Sequence, residues 1–279
     1  MSVHNHDSDI HPAYINLQSN SYTTKNGSSS YVFELNRTIY SRSNIDMLLS
    51  VDSFKFTNSF YNIDSFNNIL YYRLDGDSYI TLYTLTIPHG NYSANTLILY
   101  LNANTDFTFV FNETTFKITC THDTDDFYFI DGDNNMNEVL GFDNLISSSG
   151  ELTGDNLINL IGVQMLYYVV SPTFSLRTVL DKNDIKSNNI LLSTPISSHP
   201  GDVQVYDGGS HYHKIANNNI NTIEIVIVDQ NNRQVDFNGI AFYLNISINF
   251  SYRKPMILPQ YLLDDEVKED TDDKKQKAK

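Results

Sequence analysis

Phe242-Tyr243-Leu244-Asn245-Ile246-Ser247-Ile248-Asn249-Phe250-Ser251 sets apolar side chains at every even position and polar or phenolic ones at every odd position. Successive side chains of a strand point to opposite faces, so this stretch is a strand with one face for a core and one for water or a partner. Just upstream, Ile223, Ile225 and Ile227 alternate with Glu224, Val226 and Val228, and Asp229 to Arg233 supplies the turn between the two strands. Met47, Leu49 and Val51 repeat the pattern near the start of the chain, after which the apolar phase slips to Phe54 and Phe56. A slip of one residue flips every later side chain to the other face, which predicts a bulge at Asp52 and Ser53.

Working outward, shorter strands are predicted over residues 31–35, 69–74, 127–130, 158–170, 173–180, 189–193 and 203–206. Residues 79–87 are apolar on both faces, the pattern of a strand in the middle of a sheet. Residues 107–111 and 115–121 make a hairpin around Asn112-Glu113-Thr114. One stretch changes period: Ala94, Leu97, Ile98 and Leu101 fall on one helical face, with Ser93 placed to cap the first free amides. Pro88 and Gly90 end the strand before that helix, and a short helical turn stops at Gly141. Helix, hairpin and turn together form an α+β insertion over residues 88–142. Roughly eight to ten framework strands with few helices define an all-β chain, a single jelly-roll-like β-sandwich with a small α+β insertion. The organisation read from composition is a flexible N-terminal arm (1–30), a jelly-roll body (31–253) and a charged C-terminal tail (254–279).

Hydrophobic residues make up 41% of the 279 and aromatics 13%, enough for a sizeable core. The formal charge of −15 argues against general nucleic-acid binding, because displacing counterions from phosphates takes concentrated Lys and Arg. With one cysteine, Cys120, no disulfide forms within the chain and C-x-x-C metal spacings are absent. Cys120 alternates in phase with Phe116 and Ile118 and reads as a buried thiol. The first residues lack the basic start and apolar run of a secretory signal, and no stretch approaches the ~20 apolar residues of a membrane helix.

No phosphate-binding loop, dinucleotide fingerprint, G-x-S-x-G elbow or H-E-x-x-H occurs. The nearest approach to a metal site is His211-Tyr212-His213, since alternate residues of a strand present two imidazoles to one ion, as in cupin-type metalloenzymes. The glutamate that usually follows such a pair is missing before Glu224. Asp123-Thr124-Asp125-Asp126 and Asp131-Gly132-Asp133 look like fragments of calcium loops, without the twelve-residue spacing or the closing glutamate. They read as solvated turns, and no cofactor is implied.

Several short motifs occur in a telling order: Tyr14-Ile15-Asn16-Leu17, Asn58-Ser59-Phe60-Tyr61-Asn62-Ile63, Pro88-His89-Gly90-Asn91-Tyr92, Leu140-Gly141-Phe142 and the closing strand pair. The ordered set resembles the penton, or minor capsid, proteins of the polinton, adintovirus, virophage and large eukaryotic DNA virus group, over residues 14–252. Tyr14, Asn58, Tyr61, Asn62, Pro88, Gly90, Tyr92, Leu140, Gly141 and Phe142 carry the likeness. Residues 183–214 match nothing in it. The resemblance implies a structural capsid protein without enzymatic activity. It implies a homopentamer at the icosahedral fivefold vertex of the virion, assembled inside the infected cell. The implied partners are a double jelly-roll major capsid protein and, beyond it, other minor capsid proteins. A receptor- or glycan-binding β-sandwich of the fibre-head kind is the alternative, with a cupin-type metalloenzyme third.

Overall fold

A computed structural model describes residues 11–75, 81–170, 174, 190–208 and 211–252. In chain order its first elements are β1 (Ala13–Gln18), β2 (Thr24–Asn26), β3 (Ser30–Tyr40), β4 (Ile45–Thr57), β5 (Ile69–Leu74) and β6 (Tyr83–Thr86). Helix α1 (Ala94–Asn104) follows, then β7 (Thr108–Asn112), β8 (Lys117–Thr121), β9 (Phe127–Phe129), the short helix α2 (Asn137–Leu140) and β10 (Glu151–Thr153). The chain continues through β11 (Met165–Val170), β12 (Ile190–Pro195), β13 (Val203–Asp207), β14 (His213–Ile215), β15 (Asn219–Val228) and β16 (Tyr243–Tyr252).

Strand order settles the architecture. One antiparallel sheet runs β1-β16-β4-β13, with β14 continuing along the same edge of β4, and the other runs β3-β15-β11-β12, with short β2 outside β3. Taking β1, β3, β4, β11, β12, β13, β15 and β16 as first to eighth, the sheets hold first-eighth-third-sixth and second-seventh-fourth-fifth. That interleaving is the jelly roll, in which Greek-key crossings carry the chain between two facing sheets. Phe54, Phe242, Leu244, Ile246 and Ile248 from one sheet meet Phe33, Ile223, Ile225 and Ile227 from the other in a single apolar core. The apolar phase of β16 found in the sequence is therefore its core face.

The bulge falls where the phase slip predicts. Asn245 pairs with Ser53 and Ile246 with Val51, which leaves Asp52 as the extra residue. Its carboxylate stays on the outer face and accepts from Ser247 Oγ at 2.9 Å, and Ser247 Oγ lies 2.8 Å from Ser50 Oγ.

Three expectations need correction. The arm ends earlier than residue 30: β1 pairs with β16 throughout its length, and Ile15 and Leu17 are 8% and 5% exposed in the core. The polar run after it is held by hydrogen bonds rather than apolar burial; Ser29 Oγ donates to the Ile227 carbonyl, and Ile227 N–H donates back to the Ser29 carbonyl at 3.0 Å. Of residues 79–87, Tyr83–Thr86 form β6 in the small sheet β6-β5-β9 rather than a strand in the middle of a framework sheet. The insertion exceeds residues 88–142: among the described residues its second core includes Ile63 and Leu70 before that range and Leu152 after it. Residue 174 apart, the strand expected over 173–180 lies outside the described residues, as do residues 1–10 and the tail 254–279.

If β1 belongs to the sandwich, Leu17→Ala lowers the stability read from urea unfolding by about 2–4 kcal/mol, the cost of a cavity in a packed core. Tyr14→Ala, at a side chain 72% exposed on the same strand, leaves it unchanged within about 0.5 kcal/mol.

Candidate functional site

β4 leaves its sheet at Thr57, and the next residues fasten the insertion to the sandwich. Asn58 donates from its backbone to the Asp202 carbonyl at 2.9 Å and from Nδ2 to the Ser198 carbonyl at 2.7 Å. Its own carbonyl accepts from Gly201 N–H at 2.7 Å, so one buried asparagine grips the loop between β12 and β13. Ser59 Oγ adds a bond of 2.8 Å to the Phe237 carbonyl.

Asn62 makes the central connection. Its Nδ2 donates to the carbonyls of Tyr92 (2.8 Å) and Leu160 (3.1 Å), while its Oδ1 accepts from Tyr92 N–H (2.9 Å). Three separate passes of the chain, outbound at 62, through the Pro88–Tyr92 loop and inbound at 160, thus converge on one amide. Ile63 and Gly90 exchange backbone bonds of 3.1 and 3.0 Å beside it, and Tyr92 Oη donates to the Pro88 carbonyl at 2.9 Å. Gly162 completes the joint on the inbound pass: at φ +67° a Cβ there would lie 3.1 Å from Asn62 Cα.

Leu140, Gly141 and Phe142 sit apart from this joint, inside the second core. Gly141 closes α2 at φ 81°, Phe142 packs on Phe129 with centroids 5.1 Å apart, and Asn156 N–H donates to the Gly141 carbonyl at 2.9 Å. Tyr14 lies elsewhere again, on the outer face of β1. Of the signature residues, then, the structure gathers Asn58, Tyr61, Asn62, Pro88, Gly90 and Tyr92 at one joint and leaves the others outside it. Leu160 and Gly162, equal members of the joint, escape sequence reasoning because residues 158–170 read as one strand. A glycine inside a strand pattern was the available signal.

Beside the joint lies an open cleft of about 720 Å³ between the insertion and the end of the sandwich. Tyr61, Tyr92, Ile161, Met165, Pro195 and Ile196 line it together with polar Asn91, Ser93 and Gln164, and among the described residues no Asp, Glu, Lys, Arg or His does.

The histidine pair is not presented on one strand. β14 begins only at His213, so His211 lies ahead of the strand, and His213 Nε2 sits 3.1 Å from the Leu191 carbonyl on the opposite sheet. Burial pushes the His213 pKa down, the carbonyl contact opposes this, and His211 adds to the depression. Among the described residues no group of three or more His, Cys, Asp or Glu is placed to hold an ion. The acidic turns brace backbone: Asp126 Oδ1 accepts from Gly150 N–H at 2.6 Å, and Asp131 Oδ1 from Asn137 Nδ2 at 3.3 Å. Cys120 is fully buried, which drives its thiol pKa well up.

Asn62→Ala removes three hydrogen bonds and strands their partners, so stability falls by about 2–3 kcal/mol, with faster hydrogen exchange at Tyr92 as the local signature. His213 is neutral in the fold at a pH where the unfolded chain is protonated. Stability is therefore lost as pH drops below about 6.5, and His213→Gln flattens that part of the profile in urea midpoints measured between about pH 7.5 and 5.5.

No protein-family model matches the chain, and no curated protein sequence matches it. Among solved structures, the fold is similar to the crystal structure of the mavirus penton protein, with a TM-score of 0.43 and 12% identity over 86% of this chain and 100% of that one. It is similar also to a chain of the Sputnik virophage structure from cryo-electron microscopy, with a TM-score of 0.41 and 11% identity over 85% of this chain and 97% of that one.

Proposed function

We propose that this chain is a structural capsid protein of a virophage or large DNA virus particle, the capsomer of the fivefold vertex. Five copies close a ring there and meet a double jelly-roll major capsid protein at the rim. The observation that carries the reading is where the signature residues spend their chemistry. Asn58, Asn62, Gly90 and Tyr92 direct their hydrogen bonds and close contacts into the chain itself, where they fix a second folded body onto a single jelly roll. Residues used in that way build a shape. A rigid two-body shape is what a shell subunit requires, since closed symmetric assembly demands that each copy present its surfaces at a fixed angle.

The cluster between the two sheets is built from apolar and aromatic side chains such as Phe54, Phe242 and Ile225, and the His213 imidazole beside it is engaged by a backbone carbonyl, which favours a packed structural interior over a cupin-type site. A polyanionic chain opposes its own assembly, so association must come from apolar burial at places free of acid.

Imaging of the purified full-length protein tests the reading. Rings of five are expected, growing in proportion as salt is raised from about 0.05 to 0.5 M and the like-charge repulsion is screened. Trimers would point to a fibre head instead, and monomers at every salt concentration would reject a vertex role.

A further inference from the structure

The cleft beside the joint is built for something uncharged. Its polar groups are largely consumed within the chain: the amide of Asn62 is saturated by Tyr92 and Leu160, and that of Asn58 donates to Ser198. What remains open is uncharged among the described residues and mixed in polarity: Ile161 is 67% exposed and Tyr61 36% exposed at its rim, with Pro195 exposed beside them and Asn91, Ser93 and Gln164 as the exposed polar groups. In a chain of formal charge −15, a cleft that among the described residues carries no ionised side chain is a place where two copies touch without repulsion.

The sequence contains a segment of matching chemistry. Residues 255–263, Pro-Met-Ile-Leu-Pro-Gln-Tyr-Leu-Leu, carry no charge, and they are bounded by Arg253 and Lys254 on one side and by Asp264, Asp265 and Glu266 on the other. Their two prolines bias the backbone toward extended conformations, the form in which a peptide lies along a groove at low entropic cost. A cleft of about 720 Å³ falls within the ~300–1,000 Å³ of ordinary ligand clefts.

Geometry decides whose segment it is. β16 ends at Tyr252, paired with Ile45 at the start of β4, whereas the cleft lies past Thr57 at the other end of β4. Twelve residue steps of strand separate those ends, roughly 40 Å. From Tyr252 the middle of the segment, Pro259, reaches at most about 25 Å even when fully extended. A chain therefore cannot lay this segment in its own cleft.

We propose that residues 255–263 of one copy occupy the cleft of a neighbouring copy, tying subunits together head to tail. The inference depends on the capsid reading only in requiring that copies meet. A directional contact of this kind, cleft to segment and onward, closes a ring when the rotation between copies permits.

Disulfide trapping in the full-length chain tests it, since the native Cys120 is fully buried. Ile161→Cys and Leu258→Cys chains, purified apart and mixed under mild oxidation, should give a cross-linked dimer that neither gives alone. A mixture indistinguishable from its components, or a double variant that cross-links only within single chains, overturns the proposal. Ile161→Glu and Leu258→Asp should each weaken self-association about tenfold or more, the loss expected of a central interface residue. Leu99→Glu, at a comparably exposed site on α1, should leave it unchanged, and equal loss in all three would also overturn the proposal. Fivefold rings without trapping would sink this inference and leave the vertex reading standing. Trapped chains that never close a fivefold ring would do the reverse.

Discussion

A jelly roll interrupted between its third and fourth strands has to return the chain from the edge of one sheet to the start of the other, and the Asn62 amide is where that return is enforced. β4 belongs to one sheet and β11 to the facing one, with residues 58–164 between them. As an unstructured loop, a connection of that length would carry a closure cost on the order of 4 kcal/mol, and its ends would be tethered only loosely. Folding the connection around its own core removes most of that freedom. Binding the Pro88–Tyr92 loop and the inbound pass to a single side chain of the outbound pass, 2.8 and 3.1 Å from its Nδ2, then holds the two ends in register. The orientation of the second body on the first depends on that register, and with it any surface the molecule presents to a neighbour.

Asparagine is the instrument throughout. An amide carries both a donor and an acceptor, so it can replace a missing stretch of backbone. Asn102 on α1 does this for β7, whose outer edge would otherwise be open: its Oδ1 accepts from Phe109 N–H at 2.7 Å and its Nδ2 donates to the Phe109 carbonyl at 3.0 Å. An edge satisfied in that way no longer templates pairing with another chain. Asn67 and Asn68 make similar bonds to the carbonyls of Asn62 and Ile87, at 2.9 and 3.1 Å. An amide donates and accepts from one side chain, so it bonds to backbone without needing a partner of opposite charge.

Legibility in the sequence follows from this economy. Alternation reports which side of a strand is buried, and wherever burial was the deciding force the reading was good. β16, the bulge at Asp52 and the helix with Leu97 and Leu101 all declared themselves by period. Ser93 caps that helix through Thr96, as its position implied. Alternation does not report which strand is the partner, so β5 and β6 read as framework although they pair only within the insertion. β6 looked central because its sequence is apolar at both parities, yet in the fold Thr84 and Thr86 are exposed while Tyr83 stacks on Tyr72 with centroids 5.1 Å apart. Polar segments failed for a different reason. Residues 19–30 offer little to bury, and their order comes from hydrogen bonds to distant residues such as Ile227, which no local pattern reveals.

The same distinction accounts for what could be seen of the joint. Asn58, Asn62 and the Pro88–Tyr92 loop stood out as an ordered set of motifs, but nothing in their spacing says that they meet. Their convergence is a property of topology: β4 delivers Asn58 and Asn62 to the end of the sandwich, the Ile63–Gly90 bridge brings Tyr92 alongside, and only then can Leu160 and Gly162 arrive on the inbound pass. Because the joint uses the amides of Asn58 and Asn62 internally, the surface left beside it is neutral among the described residues, apolar side chains standing next to exposed Asn91, Ser93 and Gln164. A neutral, partly hydrophobic cleft is thus the physical by-product of fastening two cores together with amides.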